Sequence, residues 1–170
     1  MKNLILFDID GVLLPTAEQY SKPDPEEYET FLKQVQFNAD CVKQLVLLCK
    51  QLDAKLMLLS RWRKIFSDHL DLLKEALVRS GIDEGLFAEH WSCSYRFTSG
   101  KVHEIWMAES EFKEEIGDTP VRILVIDDDF VVSPRDFSDT LQQIRPESIK
   151  GMTKTDVEKA LHIHETWKLQ

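Results

Sequence analysis

The chain has 170 residues, 43% of them hydrophobic and 30% charged, and a net charge of −9 at neutral pH. That length suits one compact domain with a sizeable core. The acidic balance excludes broad electrostatic adhesion to nucleic acid or anionic membrane, though not a small basic pocket, and no apolar run is long enough to span a bilayer.

The first predicted element is a strand. Leu4 to Phe7 is a continuous apolar run, as in a strand buried on both faces of a parallel sheet. It ends abruptly in Asp8 and Asp10, with Gly11 directly after. Asp8 breaks the apolar stretch, so it does not read as a secretory signal. From Pro15 to about Asn38 the sequence is polar and irregular, with Pro15, Pro23 and Pro25. Glu26 to Val35 has room for a short helix. The whole stretch 13–39 is too short for a second domain and reads as a small flap or cap insertion beside the end of the first strand.

Asp40 is the expected N-cap of a helix reaching about Leu52, buried through Cys41, Leu45, Leu48, Cys49 and Leu52. Lys55 to Leu59 reads as the second strand, ending at Ser60. A helix from about Lys64 to Ser80 turns Phe66, Leu70, Leu73 and Leu77 inward, with Gly81 as terminator. A third strand fits around His90 to Ser94. Ser99 and Gly100 open a helix whose inner face carries Val102, Ile105, Trp106, Glu109 and Phe112. Val121 to Ile126 is a strand ending in Asp127, Asp128 and Asp129, and a last strand is placed near Ser148 to Lys150. Thr153 with Asp156 resembles a capping box and starts a final helix carrying Val157, Ala160 and Leu161. Strands alternating with amphipathic helices predict an α/β fold, a Rossmann-like parallel sheet with helices on both faces.

Three cysteines, Cys41, Cys49 and Cys93, lack metal-ligand spacing, and Cys41 and Cys49 lie two turns apart on one helix, too far for a disulfide. A reducing, cytoplasmic setting is expected. Trp106 fits a core face, and Trp62 is open between stacking on a ligand and packing. His90, His103, His162 and His164 show no ligand pattern.

Asp8/Asp10, Ser60, Lys101 and Asp127/Asp128 all fall at strand ends or a helix start, and in a parallel sheet such positions converge on one edge. Clustered carboxylates repel unless a cation lies between them. With oxygen donors alone that cation is hard, Mg²⁺ foremost. A carboxylate beside Mg²⁺ can attack phosphorus, and a second acid two residues on can serve the leaving oxygen and then water. A hydroxyl and a lysine can hold the phosphoryl oxygens. Arg61, Arg63 and Lys64 place positive charge at a helix start, against its dipole, which also points to an anion, with Arg63 the favoured phosphate contact.

These motifs resemble the haloacid dehalogenase (HAD) superfamily. Asp8-Ile9-Asp10-Gly11-Val12 is similar to its first motif, DxDGV. Ser60 after Leu56-Met57-Leu58-Leu59 is similar to the second, Lys101 to the third, and Leu124-Val125-Ile126-Asp127-Asp128 to the fourth. The resemblance implies a HAD-like domain over residues 1–170 with a minimal cap or none. It implies that Asp8 is nucleophile and Mg²⁺ ligand. Asp10 is acid/base and a metal ligand through its carbonyl, Ser60 and Lys101 bind phosphate, and Asp127 ligates the metal with Asp128 in support. An Asp at position 10 matches phosphatases and phosphomutases rather than dehalogenases or ion pumps. Ser60-Arg61-Trp62-Arg63 and Lys101-Val102-His103-Glu104-Ile105-Trp106 further resemble a small capless bacterial group, itself similar to HAD domains of RNA-repair fusion proteins. The expected activity is Mg²⁺-dependent phosphomonoester hydrolysis, with an open site able to admit a nucleic-acid end. The rivals are a phosphotransferase or mutase of the same chemistry and an inactive phosphate-binding module.

Overall fold

Five strands, β1 (Lys2–Phe7), β2 (Ala54–Leu58), β3 (Phe87–Ser92), β4 (Val121–Ile126) and β5 (Leu141–Ile144), pair in parallel in the order β3-β2-β1-β4-β5. The computed structural model describes residues 1–96, 100–117, 119–133 and 135–167, the last without its side chain. The connections hold helices α1 (Tyr28–Gln34), α2 (Ala39–Gln51), α3 (Trp62–Ile65), α4 (Leu70–Arg79) and α5 (Lys101–Ile116), and α6 (Lys154–Trp167) follows β5.

The apolar run of β1 is central for a simple reason: Leu4, Ile5, Leu6 and Phe7 are all fully buried. Successive side chains of a strand point to opposite faces. Ile5 and Phe7 therefore join one layer with Leu45 and Leu48 of α2, Leu73 and Leu77 of α4, and Val157 of α6. Leu4 and Leu6 join the other with Ile105, Ala108 and Phe112 of α5. Each such burial stabilises by about 1.5–3 kcal/mol relative to exposure. The fold is the expected Rossmann-like α/β sheet with helices on both faces.

From β1 the chain winds outward through β2 to β3, then crosses back to β4 on the opposite side of β1. The winding reverses between β1 and β4. In open α/β sheets a crevice forms at the carboxyl ends of the two strands flanking such a reversal. Asp8 and Asp127 follow those two strands directly.

Several elements differ from the expectation. Asn38, not Asp40, caps α2, its Oδ1 accepting from the N–H groups of Asp40 (3.1 Å) and Cys41 (3.0 Å). The helix expected over 64–80 is two helices, α3 and α4. They part at Phe66, whose backbone (φ −104°, ψ 33°) leaves the helical region as its ring packs against Tyr28, Phe31 and Trp62. The third strand begins earlier, at Phe87. The last strand is Leu141–Ile144, and residues 148–150 form a turn instead. Gly100 caps α5, and Ser99 lies outside the described residues. Trp106 is 60% exposed rather than in the core, because the fully buried side of α5 carries Glu104, Ile105 and Ala108. The contact between Thr153 and Asp156 is present: Asp156 Oδ2 accepts from the Thr153 N–H (2.9 Å) and hydroxyl (2.6 Å).

Between β1 and α2, two short 3₁₀ turns and α1 pack Leu32, Val35 and Phe37 into the larger core layer. All three cysteines are buried free thiols, and burial pushes Cys49 and Cys93 up to about 12, which keeps them unreactive. Among the described residues no helix is long and apolar enough to cross a membrane.

Candidate active site

The site begins where β1 stops. The Asp8 N–H still donates to Ile126 O of the neighbouring strand (2.9 Å), so its backbone is held in the sheet. The chain then curls back, with the N–H groups of Val12, Leu13 and Leu14 all donating to Ile9 O. Gly11 makes this turn possible twice over. Its φ of 70° is strained for any side chain, and a Cβ there would collide with the Asp128 carboxylate. The glycine that follows the two acids in sequence is thus what lets the β1 and β4 loops touch.

Asp8, Asp127 and Asp128 each offer a carboxylate oxygen, all within 4.8 Å of one another, and Asp8 and Asp127 are buried. Lys101, in the first turn of α5, reaches between two of them: its Nζ donates to Asp8 Oδ2 (2.6 Å) and Asp127 Oδ2 (2.5 Å). Burial, reinforced by repulsion from Asp8, pushes the Asp127 carboxyl up to about 7 despite the opposing pull of Lys101. Burial works against the Lys101 ammonium, but the two carboxylates outweigh it and raise its affinity for its proton. Three clustered carboxylates, two of them bonded to a single ammonium, leave negative charge uncompensated, and all the donors are oxygen. That donor set fits a metal ion, held by Asp8, Asp127 and Asp128.

The loop after β4 is fixed by Gln143 of β5. Its Nε2 donates to Asp127 O (3.1 Å) and Asp129 O (2.7 Å), while its Oε1 accepts from the N–H groups of Val131 (3.2 Å) and Val132 (2.9 Å). One buried amide thereby satisfies four backbone groups of an otherwise unpaired loop. Arg145 adds two bonds to Asp128 O and stacks on the exposed ring of Phe130. The Asp129 N–H donates to Asp127 Oδ1 (3.0 Å), fixing the carboxylate from the side opposite Lys101.

Ser60 follows β2 and is fully buried, and Leu59 N–H donates to Phe7 O (2.8 Å), which sets the serine beside the end of β1. Its Oγ accepts from the Trp62 N–H (3.3 Å), so it also caps the turn into α3. Asp10 lies half-buried two residues past Asp8, and Trp62 Nε1 donates to its Oδ2 (3.0 Å). Burial raises the Asp10 carboxyl above its ordinary value, offsetting the Trp62 hydrogen bond, with Asp8 adding to the rise.

Arg63 corrects the expectation of a phosphate contact. It is 1% exposed, and its guanidinium donates to Ser60 O (2.6 Å), Cys93 O (2.9 Å) and the Glu104 carboxylate. Lys64 pairs with the other oxygen of Glu104. Of the positive charge read as facing an anion, Arg63 and Lys64 are neutralised by Glu104, between the Ser60 turn and the first turn of α5, while Arg61 is exposed. Sequence reasoning placed Asp8, Asp10, Ser60, Lys101, Asp127 and Asp128 at one sheet edge; the structure brings Asp8, Lys101, Asp127 and Asp128 into one cluster, with Asp10 two residues beyond Asp8 and Ser60 at the end of the adjoining β2. It missed Gln143, Glu104 and the tie between Trp62 and Asp10. A glutamate one turn past Lys101, among apolar residues, was the available signal for Glu104; Gln143, on an edge strand, gave none.

A family model described as the HAD domain in Swiss Army Knife RNA repair proteins matches residues 4–157. No curated protein and no solved structure matches the chain.

Proposed function

The chain belongs to the HAD domain family of Swiss Army Knife RNA repair proteins, which points to phosphoryl-transfer chemistry, and from that premise we propose that it is a Mg²⁺-dependent phosphomonoester hydrolase working through an aspartyl-phosphate. The observation that carries this reading is the meeting of Asp8, Asp127 and Asp128, with Lys101 bonded to the first two and Asp10 two residues beyond Asp8.

In this reading an Asp8 carboxylate oxygen forms the new bond to phosphorus while the bond from phosphorus to the ester oxygen breaks. Asp10 gives its proton to the departing oxygen. Ser60 and Lys101 hold the phosphoryl oxygens, and Lys101 is already aimed at the nucleophile. Asp10, now ionised, takes a proton from the water that attacks phosphorus, releasing phosphate and restoring Asp8. The carboxylates of Asp8, Asp127 and Asp128 and the Asp10 carbonyl would hold Mg²⁺, which supplies neutralisation of charge on the transferring group. The substrate class we favour is a phosphorylated nucleic-acid end, in line with the family's RNA-repair context.

Metal removal tests the chemistry. Hydrolysis of an aryl phosphate is expected to fall below about 1% in EDTA and to return with added Mg²⁺. Turnover indifferent to EDTA would sink the metal-dependent mechanism. Comparing phosphorylated oligonucleotide ends with mononucleotides and sugar phosphates tests the substrate: a higher kcat/KM for the compact esters would refute the nucleic-acid assignment.

A second expectation concerns stability in the metal-free protein. The Asp127 carboxyl sits near 7 when folded, against an ordinary 3.8. A raised carboxyl contributes stability that is fully present below about pH 4 and lost as pH rises through about 7. Asp127→Asn cannot suffer that loss. In EDTA at pH 8 the variant should be more stable than the parent by roughly 1–3 kcal/mol, and near pH 4 the two should match. Mg²⁺ should then stabilise the parent and not the variant. Thermal melts at the two pH values check this; a less stable variant at pH 8 would show that the Lys101 pairing outweighs the burial of Asp127.

A further inference from the structure

Trp62 is 6% exposed, yet its ring is not simply filling space. It packs among the rings of Phe31 of α1 (5.7 Å between centroids), Phe37 (5.6 Å) and Phe66 (5.5 Å). Phe31 and Phe37 come from the stretch between β1 and α2, and Phe66 from the break between α3 and α4. Three rings from two separate segments thus fix the plane of one indole. The only polar atom of that indole, Nε1, emerges from the apolar cage and donates to Asp10 Oδ2 at 3.0 Å. Indole N–H is a donor and never an acceptor.

We infer that Trp62 is the positioning residue for Asp10, holding one carboxylate oxygen so that the other is the oxygen that exchanges protons with the leaving group and with water. The inference rests on the hydrolase reading above. With Oδ2 accepting from the indole, the proton of the acid form is favoured on Oδ1. The carboxyl cannot rotate freely about its Cβ–Cγ bond without losing that hydrogen bond. Asp10 lies in a curled loop rather than in the sheet, so backbone pairing alone does not fix its side chain. A rigid aromatic donor supplies what the loop lacks, and effective acid catalysis depends on such orientation. The stretch between β1 and α2 also acquires a part in the chemistry: by buttressing Trp62, it sets the aim of an acid it does not itself contain.

The test is Trp62→Phe, which keeps an aromatic ring in the cage and removes the N–H. The readout is kcat/KM, which reports formation of the phosphorylated enzyme, for two esters in Mg²⁺. A dinitrophenyl phosphate leaves as a stable anion and needs little protonation; an alkyl phosphate leaves only with a proton. The variant should lose more than about tenfold with the alkyl ester and less than about threefold with the aryl ester. Equal losses on both would make Trp62 a packing residue only and overturn the inference, as would no loss on either. Parent protein that turns over neither ester would instead remove the hydrolase reading, and the inference with it. If Trp62→Phe does not fold, the intact protein carries the test by NMR. The Trp62 indole N–H should exchange slowly with water and shift strongly in Asp10→Asn, and a resonance unmoved by that change overturns the pairing.

Discussion

Asp8→Asn is expected to reduce phosphomonoester turnover by at least about 10⁴-fold, because it removes the attacking atom while changing almost nothing else. An amide is isosteric with a carboxylate, and its oxygen can still accept the Ile9 N–H that now bonds Asp8 Oδ1 at 2.7 Å. Lys101 keeps its contact with Asp127. The Asp8 backbone stays tied to β4 through Ile126. The variant should therefore fold, and loss of one of three crowded carboxylates should relieve repulsion rather than add to it. The parent incubated with substrate and quenched in acid should carry a phosphate that hydroxylamine removes; the variant should carry none. A variant retaining a tenth of parental turnover would mean that water, not Asp8, is the nucleophile.

The largest structural loss is expected from Glu104→Ala, about 3–5 kcal/mol. Glu104 is fully buried and meets Arg63, which is 1% exposed, along with Lys64. Removing the carboxylate leaves a guanidinium in the interior with the Ser60 and Cys93 carbonyls and the Tyr95 ring (5.4 Å to its centroid), none of which carries a counter-charge. Neutral partners cannot offset the cost of an unpaired buried charge. In a chain of this size the melting temperature should drop by on the order of 10 °C. The double change Arg63→Met with Glu104→Leu should recover part of the loss, since an apolar pair costs less than a half-broken ionic one. Urea melts of the three variants decide the point; a single variant within about 1 kcal/mol of the parent would show that water reaches Arg63 and compensates it.

What the sequence discloses is set by range. The strands β1, β2 and β4 announce themselves because burial on both faces leaves an unbroken apolar run, and the acids closing β1 and β4 stand out against it. The strand β5 does not, because Leu141-Gln142-Gln143-Ile144 lies at the sheet edge and spends a glutamine on the neighbouring loop. Trp106 was read inward because helical spacing puts it beside Ile105. The register of α5 is instead set by Glu104, whose claim to the interior depends on Arg63 in a distant part of the chain. The same holds for Trp62. Its neighbours in sequence are charged, and its purpose shows only when α1 and the Asp10 turn are folded against it. Functional groups could be placed from strand ends, but the side chains that orient them are joined to them only through space.

The central position of β1 has a consequence for how this protein comes into being. Asn3 lies against Ala54 on one side and Arg122 on the other, so the strand that ends in Asp8 precedes both of its partners along the chain. Contacts of such high sequence separation slow folding, since the intervening chain must be ordered before they form. The turn after Asp8 closes on local bonds to Ile9 O, but the Asp8 backbone is tied to its neighbour at Ile126, and Asp127 and Asp128 reach it, only after β4 has docked. The cluster of Asp8, Lys101, Asp127 and Asp128 is thus a property of the finished sheet. Under the proposed function, a chain that stops short of β4 carries the whole DxDGV motif without Asp127 and Asp128, and is expected to be silent until the sheet is complete.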